Sequence, residues 1–261
     1  MIRLLFDIGN TRLKWALANG FTITARGSEP TELDGVASCI KEIERTLVDK
    51  GYQKVESALI CSVGPKVVLS STVSTVEERL GVVAQVVGVT ASAVGVQNFY
   101  EDQSRLGVDR WVAVLGAAQE SNSLATIVVD AGTAITIDYL SASQQYLGGV
   151  ILPGDRLMAE SLTSNTAGII AKPVQVESVF GLNTSSCVSA GVRYGLPGAV
   201  ASIVRKMMAA YPNSTQVLVS GGAGPDLVPE LATLCADLPV TITSRPDLVF
   251  YGLIALCKVT A

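Results

Sequence analysis

Two short blocks constrain this chain more than anything else in it. Leu4–Trp15 reads LLFDIGNTRLKW, and Ile127–Tyr139 reads IVVDAGTAITIDY. In each, an apolar strand runs into an Asp, then one residue, then a Gly, then short polar residues and a further strand. A strand that turns back at such a point aims backbone N–H groups into the bend. The glycine lets a ligand come close with no Cβ in the way. Two copies of one unusual motif imply an α/β chain built by duplication, with a cleft between halves 1–121 and 122–261.

The rest of the pattern follows that scheme twice. Strands are expected at Ile2–Asp7, Leu13–Ala18 and Phe21–Arg26, with Asn19-Gly20 as a hairpin turn. Helical periodicity runs over Glu32–Lys50 and Val67–Leu80, with strands at Ser57–Ser62 and Val82–Val87. Thr90–Val108 reads mostly as loop, and Asp109–Glu120 as a helix. The second half gives strands at Thr126–Asp130, Ala134–Leu140 and Gln145–Leu152, then a helix around Asp155–Leu162. Thr163–Asn183 is irregular. Ser186–Tyr211 is helical, though Gly191, Gly195, Pro197 and Gly198 argue against its continuity. A strand at Gln216–Ser220, a helix at Pro225–Ala236, a strand at Val240–Thr243 and a helix at Asp247–Val259 complete it.

Composition excludes several chemistries. There is no histidine among the 261 residues, so imidazole serves neither as general base nor as metal ligand. Acid–base work falls to Asp, Glu, Lys, Tyr or Cys. The five cysteines are dispersed, with no CxxC, and read as small hydrophobes in a reducing compartment. Net charge is −4 with no basic run, which argues against nucleic acid or an anionic membrane surface as partner. Met1 runs straight into a strand broken by Asp7, unlike a signal peptide, and Leu248–Cys257 is about half a membrane span. A cytoplasmic protein is expected.

Asp7-Ile8-Gly9-Asn10-Thr11 has the makings of an anion site: backbone N–H groups in a tight bend, plus side-chain donors from Asn10 and Thr11. Asp7 would repel a bare phosphate. It makes sense if hydrated Mg2+ bridges its carboxylate to phosphate oxygens. Lys14 lies two strand steps beyond Arg12 on the same face, within reach of the same anion. Taken alone, the block is equally a ligand-free hairpin with an Asx-type turn. The second copy, Asp130-Ala131-Gly132-Thr133, moves the balance toward a nucleotide held from both sides. A third block, Leu218-Val219-Ser220-Gly221-Gly222-Ala223-Gly224, is a strand entering a glycine-rich turn, where a flat ring could lie against backbone. Neither GxxxxGK[ST] nor a GxGxxG after a strand is present, which disfavours P-loop and dinucleotide-binding folds.

In this order the three blocks resemble the acetate kinase/sugar kinase/Hsp70/actin superfamily, which implies two ribonuclease-H-like (actin-like ATPase) domains with ATP in the cleft. Further motifs, Leu106–Trp111, Gly148–Gly154 and Asn183–Gly191, together with DxGNTxxKW, resemble the type III pantothenate kinases. That resemblance implies ATP-dependent phosphorylation of pantothenate to 4'-phosphopantothenate, the opening step of coenzyme A synthesis, by a homodimer. It assigns ATP contacts to Asp7, Ile8, Gly9, Asn10, Thr11, Arg12, Leu13, Lys14 and Thr133. It gives a monovalent cation, K+ or NH4+, to Asp130, and makes Asp109 the catalytic base. Pantothenate falls to Tyr100, Gly107, Val108, Asp109, Arg110 and Thr184. Chemistry agrees: an alcohol acceptor needs a carboxylate to take its proton, and Arg110 can pair with an anionic substrate. Taken alone, Asp109 is as easily a helix N-cap, Arg110 a surface ion pair, Tyr100 a half-buried loop aromatic, and Thr184 the cap of the helix from Ser186. Two other functions stay open: a non-catalytic transcription accessory protein on the same fold, and a kinase of the superfamily for another small molecule.

Overall fold

The computed structural model describes residues 1–121 and 124–257. The chain forms two units, Met1–Glu120 with Asp247–Ala261, and Ser121–Pro246.

The first unit opens with three strands, β1 (Ile2–Ile8), β2 (Arg12–Asn19) and β3 (Thr22–Pro30). Gly20, at φ +61, turns β2 into β3. Helix α1 (Leu33–Asp49), strand β4 (Ser57–Ser62), helix α2 (Lys66–Leu80) and strand β5 (Ala84–Val86) follow. The sheet order is β3-β2-β1-β4-β5, with β2 antiparallel to both β3 and β1, and β4 parallel to both β1 and β5. Strand β1 is buried on both faces, which is why its sequence is apolar almost throughout. Leu4, Phe6 and Ile8 pack against Val36, Ile40 and Ile43 of α1 and Val68 and Val76 of α2. Each such side chain contributes about 1.5–3 kcal/mol on burial. Side chains alternate along a strand, so Leu5 and Asp7 face the other way.

The stretch expected to be loop holds a small hairpin, β6 (Ser92–Ala93) with β7 (Val96–Asn98), and a 3-10 turn at Gln103–Arg105. Helix α3 (Val108–Ala118) begins one residue earlier than expected.

The second unit repeats the topology. Strands β8 (Ala125–Ala131), β9 (Ala134–Leu140) and β10 (Gln145–Pro153) are antiparallel in sequence. Helices α4 (Asp155–Asn165) and α5 (Thr184–Ala210), strand β11 (Thr215–Ser220), helix α6 (Gly224–Leu234) and strand β12 (Val240–Ser244) follow. Within this unit the order is β12-β11-β8-β9-β10, with β11 parallel to β8 and to β12. It is the order of the first unit, strand for strand. Helix α5 runs unbroken through Pro197 and its glycines. Its Leu196, Val200, Ala201 and Val204 bury against Ile127, Val129, Ile137 and Val217, and that packing overrides local propensity.

The last helix, α7 (Leu248–Leu256), corrects the expected division. It belongs to the first unit, not the second, and packs on α3. Two glycines decide this. A Cβ at Gly116 would lie 2.0 Å from the Leu248 carbonyl oxygen, and one at Gly252 would lie 1.9 Å from that of Val112. The two helix backbones touch where neither has a side chain. Arg26 of β3 adds an ion pair to Asp247 at the head of α7. The expected continuation of this helix through Val259 lies partly outside the described residues.

Replacing Gly252 with Ala should therefore cost about 3 kcal/mol through overpacking. Urea unfolding of Gly252→Ala against wild type measures it; an unchanged midpoint would contradict the close crossing.

Candidate active site

In the first unit the site is built on the bend between β1 and β2. Gly9 N–H donates to the Arg12 carbonyl (3.0 Å), closing the turn. Ile8 and Leu13, both assigned to ATP by resemblance, are fully buried in the core. They anchor the bend and leave only their backbone for a ligand. Asn10 and Thr11 are exposed at its tip. Asp7 and Lys14 sit opposite each other in the β1–β2 ladder, with Nζ 3.3 Å from Oδ2. Arg12 behaves differently from Lys14. Its Nε donates to Ser28 Oγ (2.9 Å) and its Nη2 to the Ser28 carbonyl (2.7 Å), so its guanidinium latches β2 to β3.

Two neighbouring segments hold the bend. Thr31 N–H donates to the Thr11 carbonyl (3.1 Å). On the other side Val63 and Gly64 N–H groups both donate to the Ile8 carbonyl (2.9 and 3.0 Å), and a Cβ at Gly64 would lie 2.6 Å from the Gly9 carbonyl oxygen.

Next to Asp7 in the sheet, on β4, lies Cys61, fully buried. Its thiol is pushed well above its ordinary pKa, first by burial, then by the carboxylates of Asp7 and Asp109, with Lys14 pulling the other way. Asp7, Lys14 and Asp109 thus act on one neutral thiol. Cys39, far from this group in sequence, is pushed up to about 12, mainly by burial. Both behave as the inert hydrophobes expected.

Asp109 is not a helix N-cap. Gly107 is the residue at that position, and Asp109 sits in the first turn of α3, where its Oδ1 accepts the Arg110 N–H (2.8 Å). A Cβ at Gly107 would lie 2.5 Å from that Oδ1, so a glycine is needed to leave the carboxylate its place. Arg110 is not on the surface; it is 7% exposed. Its guanidinium carbon stands 5.7 Å from the centroid of the Tyr100 ring, a cation–π distance. The Tyr100 loop is set by polar contacts: Tyr100 N–H donates to Asn98 Oδ1 (3.0 Å), and Asp102 Oδ1 accepts from Ser104 N–H (3.1 Å). The structure therefore brings together Asp7, Lys14 and Asp109, and separately Tyr100 and Arg110, all inside the first unit.

The second unit carries the remaining predicted residues. Asp130 lies near the end of β8, opposite Ser220 of β11 and Thr136 of β9. Gly132 N–H donates to the Ala134 carbonyl (3.1 Å), as Gly9 does to Arg12. Gly154 N–H donates to the Thr133 carbonyl (3.0 Å), as Thr31 does to Thr11. Gly221, at φ +86, packs against the Ala131 backbone, where a Cβ would meet the carbonyl oxygen at 2.4 Å. Ala223 N–H also donates to the Ala131 carbonyl (3.0 Å). The glycine-rich block is therefore pressed onto the second Asp-x-Gly turn. Beside it opens a cavity of about 920 Å3, whose lining includes Ala131, Ala223, Pro225, Leu196, Arg193 and Glu230. Thr184 is the first residue of α5 and exposed; the cap is Asn183, in a reciprocal capping box with Ser186.

Sequence reading missed the latch residues: Ser28, Thr31, Gly64 and Gly154. The one available signal was Pro30 and Pro153 at matching ends of the third strands.

Solved structures place the fold in a class. The chain aligns with a ROK family glucokinase from Streptomyces griseus at a TM-score of 0.56 and 12% identity, covering 99% of each chain. It aligns with component A of the (R)-2-hydroxyglutaryl-CoA dehydratase of Acidaminococcus fermentans at 0.54 and 15%, covering 98% of this chain and 96% of that one. At such identities the likeness is one of fold, that of the actin-like ATPases and sugar kinases.

Sequence comparison is narrower. The type III pantothenate kinase profile matches residues 3–206. Type III pantothenate kinases of Alkalilimnicola ehrlichii and Halorhodospira halophila are 32% and 33% identical, covering 98% and 97% of this chain and 97% and 96% of theirs. That of Methylibium petroleiphilum is 35% identical over 94% of this chain and 99% of its own. The chain belongs to the type III pantothenate kinase family.

The two glycines of the Ser220–Gly222 turn give a paired test. Gly221→Ala should lose about 2 kcal/mol or more, because a side chain is strained at that φ and meets backbone. Gly222 has open space about its Cβ position, and Gly222→Ala should stay within about 0.5 kcal/mol of wild type. Thermal melts of both variants decide it.

Proposed function

We propose that this chain transfers the γ-phosphoryl group of ATP to the primary alcohol of pantothenate, giving 4'-phosphopantothenate, with Asp109 as general base. The observation that carries the roles is the grouping of Asp7, Lys14 and Asp109 about Cys61 within one unit. Asp109 takes the alcohol proton as the oxygen attacks phosphorus. Arg110, buried beside Tyr100, meets the substrate carboxylate with the help of Gly107 and Val108. In the first unit the Gly9 bend, with Asn10 and Thr11 at its tip, is the phosphate turn, and in the second unit the Gly132 bend with Thr133 is its counterpart. Lys14, rather than the latched Arg12, is the cation facing them. Phosphoryl transfer depends mostly on such positioning and on charge neutralisation.

No cluster of three or more Cys, Asp or Glu side chains suited to a metal occurs among the described residues. That fits Mg2+ carried in with ATP, which keeps several waters and needs only one or two carboxylates. Asp7 would hold it, and when bound it neutralises charge on the phosphate oxygens. Asp130, ending a buried strand, is the residue for the monovalent cation, K+ or NH4+.

The segment before Thr184 leaves Ile170, Phe180 and Leu182 at 85%, 80% and 94% exposed, which supports a homodimer formed over it. One described helix, α5, is long and apolar enough to cross a membrane, with a mean hydropathy of 1.3. It carries Arg193 and Arg205, each paired to an acid, and packs on the sheet of its own unit. This supports reading α5 as a core helix of a cytoplasmic enzyme. A regulator on the same fold is the second reading; solved transcriptional regulators, such as one of the ROK family at a TM-score of 0.51 and 11% identity covering 99% of this chain and 78% of that one, share the fold alone. The retained Asp109 and Arg110 favour the enzyme.

Coupled ADP release tests the reading. It should require pantothenate, Mg2+ and K+, and should fall sharply when Na+ replaces K+. Absence of ADP above background with all of these present would refute it. Asp109→Asn should lower kcat by about 10²–10⁴-fold with an unchanged Tm; full activity in that variant would remove Asp109 as base.

A further inference from the structure

The cavity of the second unit is larger than the Asp130–Thr133 turn alone needs, and one charged pair in its wall stands apart. Arg193 of α5 and Glu230 of α6 meet across two elements, with Nη2 2.8 Å from Oε1. Arg156, also in the lining, is paired within its own helix, to Glu160 at 3.0 Å. At 47% and 35% exposure, the Arg193–Glu230 pair is worth about 0–1 kcal/mol as a helix-to-helix bridge. Lys would serve that purpose as well as Arg. Its setting is what distinguishes it. Val192, Leu196, Pro225 and Pro229 line the same cavity, and Ala131 and Ala223 join it to the phosphate turn. A planar guanidinium tethered by a carboxylate beside apolar walls is a surface on which an aromatic ring can stack.

We propose that Arg193, tethered by Glu230, is the residue against which the adenine base of ATP stacks, and so sets the preference for the nucleoside part of the phosphoryl donor. This rests on reading Asp130–Thr133 as a phosphate site. The triphosphate at that turn would leave the base to enter the cavity between α5 and α6. The guanidinium offers a cationic plane and the prolines an apolar one.

Steady-state kinetics of the full chain test this with MgATP, pantothenate, and inorganic tripolyphosphate as a competitive inhibitor that has no base. Arg193→Lys and Arg193→Ala should each raise KM for MgATP about three- to twentyfold, the factor expected for a lost cation–π contact. KM for pantothenate and Ki for tripolyphosphate should stay at wild-type values. Glu230→Gln should raise KM for MgATP less. A wild-type KM in Arg193→Lys would reduce the pair to an interhelical bridge and overturn the proposal. So would a rise in Ki for tripolyphosphate equal to the rise in KM. If wild type turns over ATP and the variants do not differ, this inference alone fails. If wild type does not use ATP at all, the phosphate-site reading fails and takes the inference with it.

Discussion

A tight Asp-x-Gly bend between two strands cannot hold its shape by itself; neighbouring segments must fix it. Everything else in each unit serves this constraint. In the first unit the Thr11 carbonyl is taken by Thr31 N–H, and the Ile8 carbonyl by Val63 and Gly64. In the second, Thr133 is taken by Gly154, and Ala131 by Ala223. Each bend is gripped by its carbonyls, from the end of the third strand and the end of the fourth. The grip is also why small residues recur nearby: Gly64, Gly154 and Gly221 come so close to their bends that a Cβ would collide with backbone.

The duplication extends beyond the visible motifs. Asp7 lies beside Cys61 and Asp130 beside Ser220, at equivalent steps of equivalent strands. Asp7 is buried and Asp130 half-buried. In the first unit the thiol stays protonated and uncharged between two carboxylates. The first unit adds helix α3 with Asp109, and the second has a cavity next to its glycine loop, so one topology used twice carries different side chains.

Much of the fold was legible because its signals are local. Strands buried on both faces read as apolar runs, Gly20 and Gly81 ended elements at positive φ, and α1 showed a clean helical period. Candidate site residues could be named where the proposed chemistry demands a type, as with Asp7, Lys14, Asp109 and Arg110. Illegible were the partners that make a residue one thing rather than another. Arg12 and Lys14 look alike in sequence, two steps apart on one strand. Only the position of Ser28 on β3 makes the first a latch and leaves the second facing Asp7. Asp109 looked suited to capping a helix, yet α3 starts a residue sooner and Gly107 takes the cap position.

The sequence by itself determined the duplicated α/β plan, the two Asp-x-Gly bends and the absence of any imidazole chemistry. These depend on residue type and on periods of a few residues, which a chain displays without folding. Tertiary structure alone decided where the last helix goes. Gly116 and Gly252 are far apart along the chain, and nothing local in either marks a meeting. Their lack of side chains matters only once α3 and α7 cross, because close approach is a property of the pair. The same holds for the Arg193–Glu230 bridge and for the carboxylates about Cys61. Each residue is ordinary alone, and its charge acquires a purpose only from what the fold sets beside it.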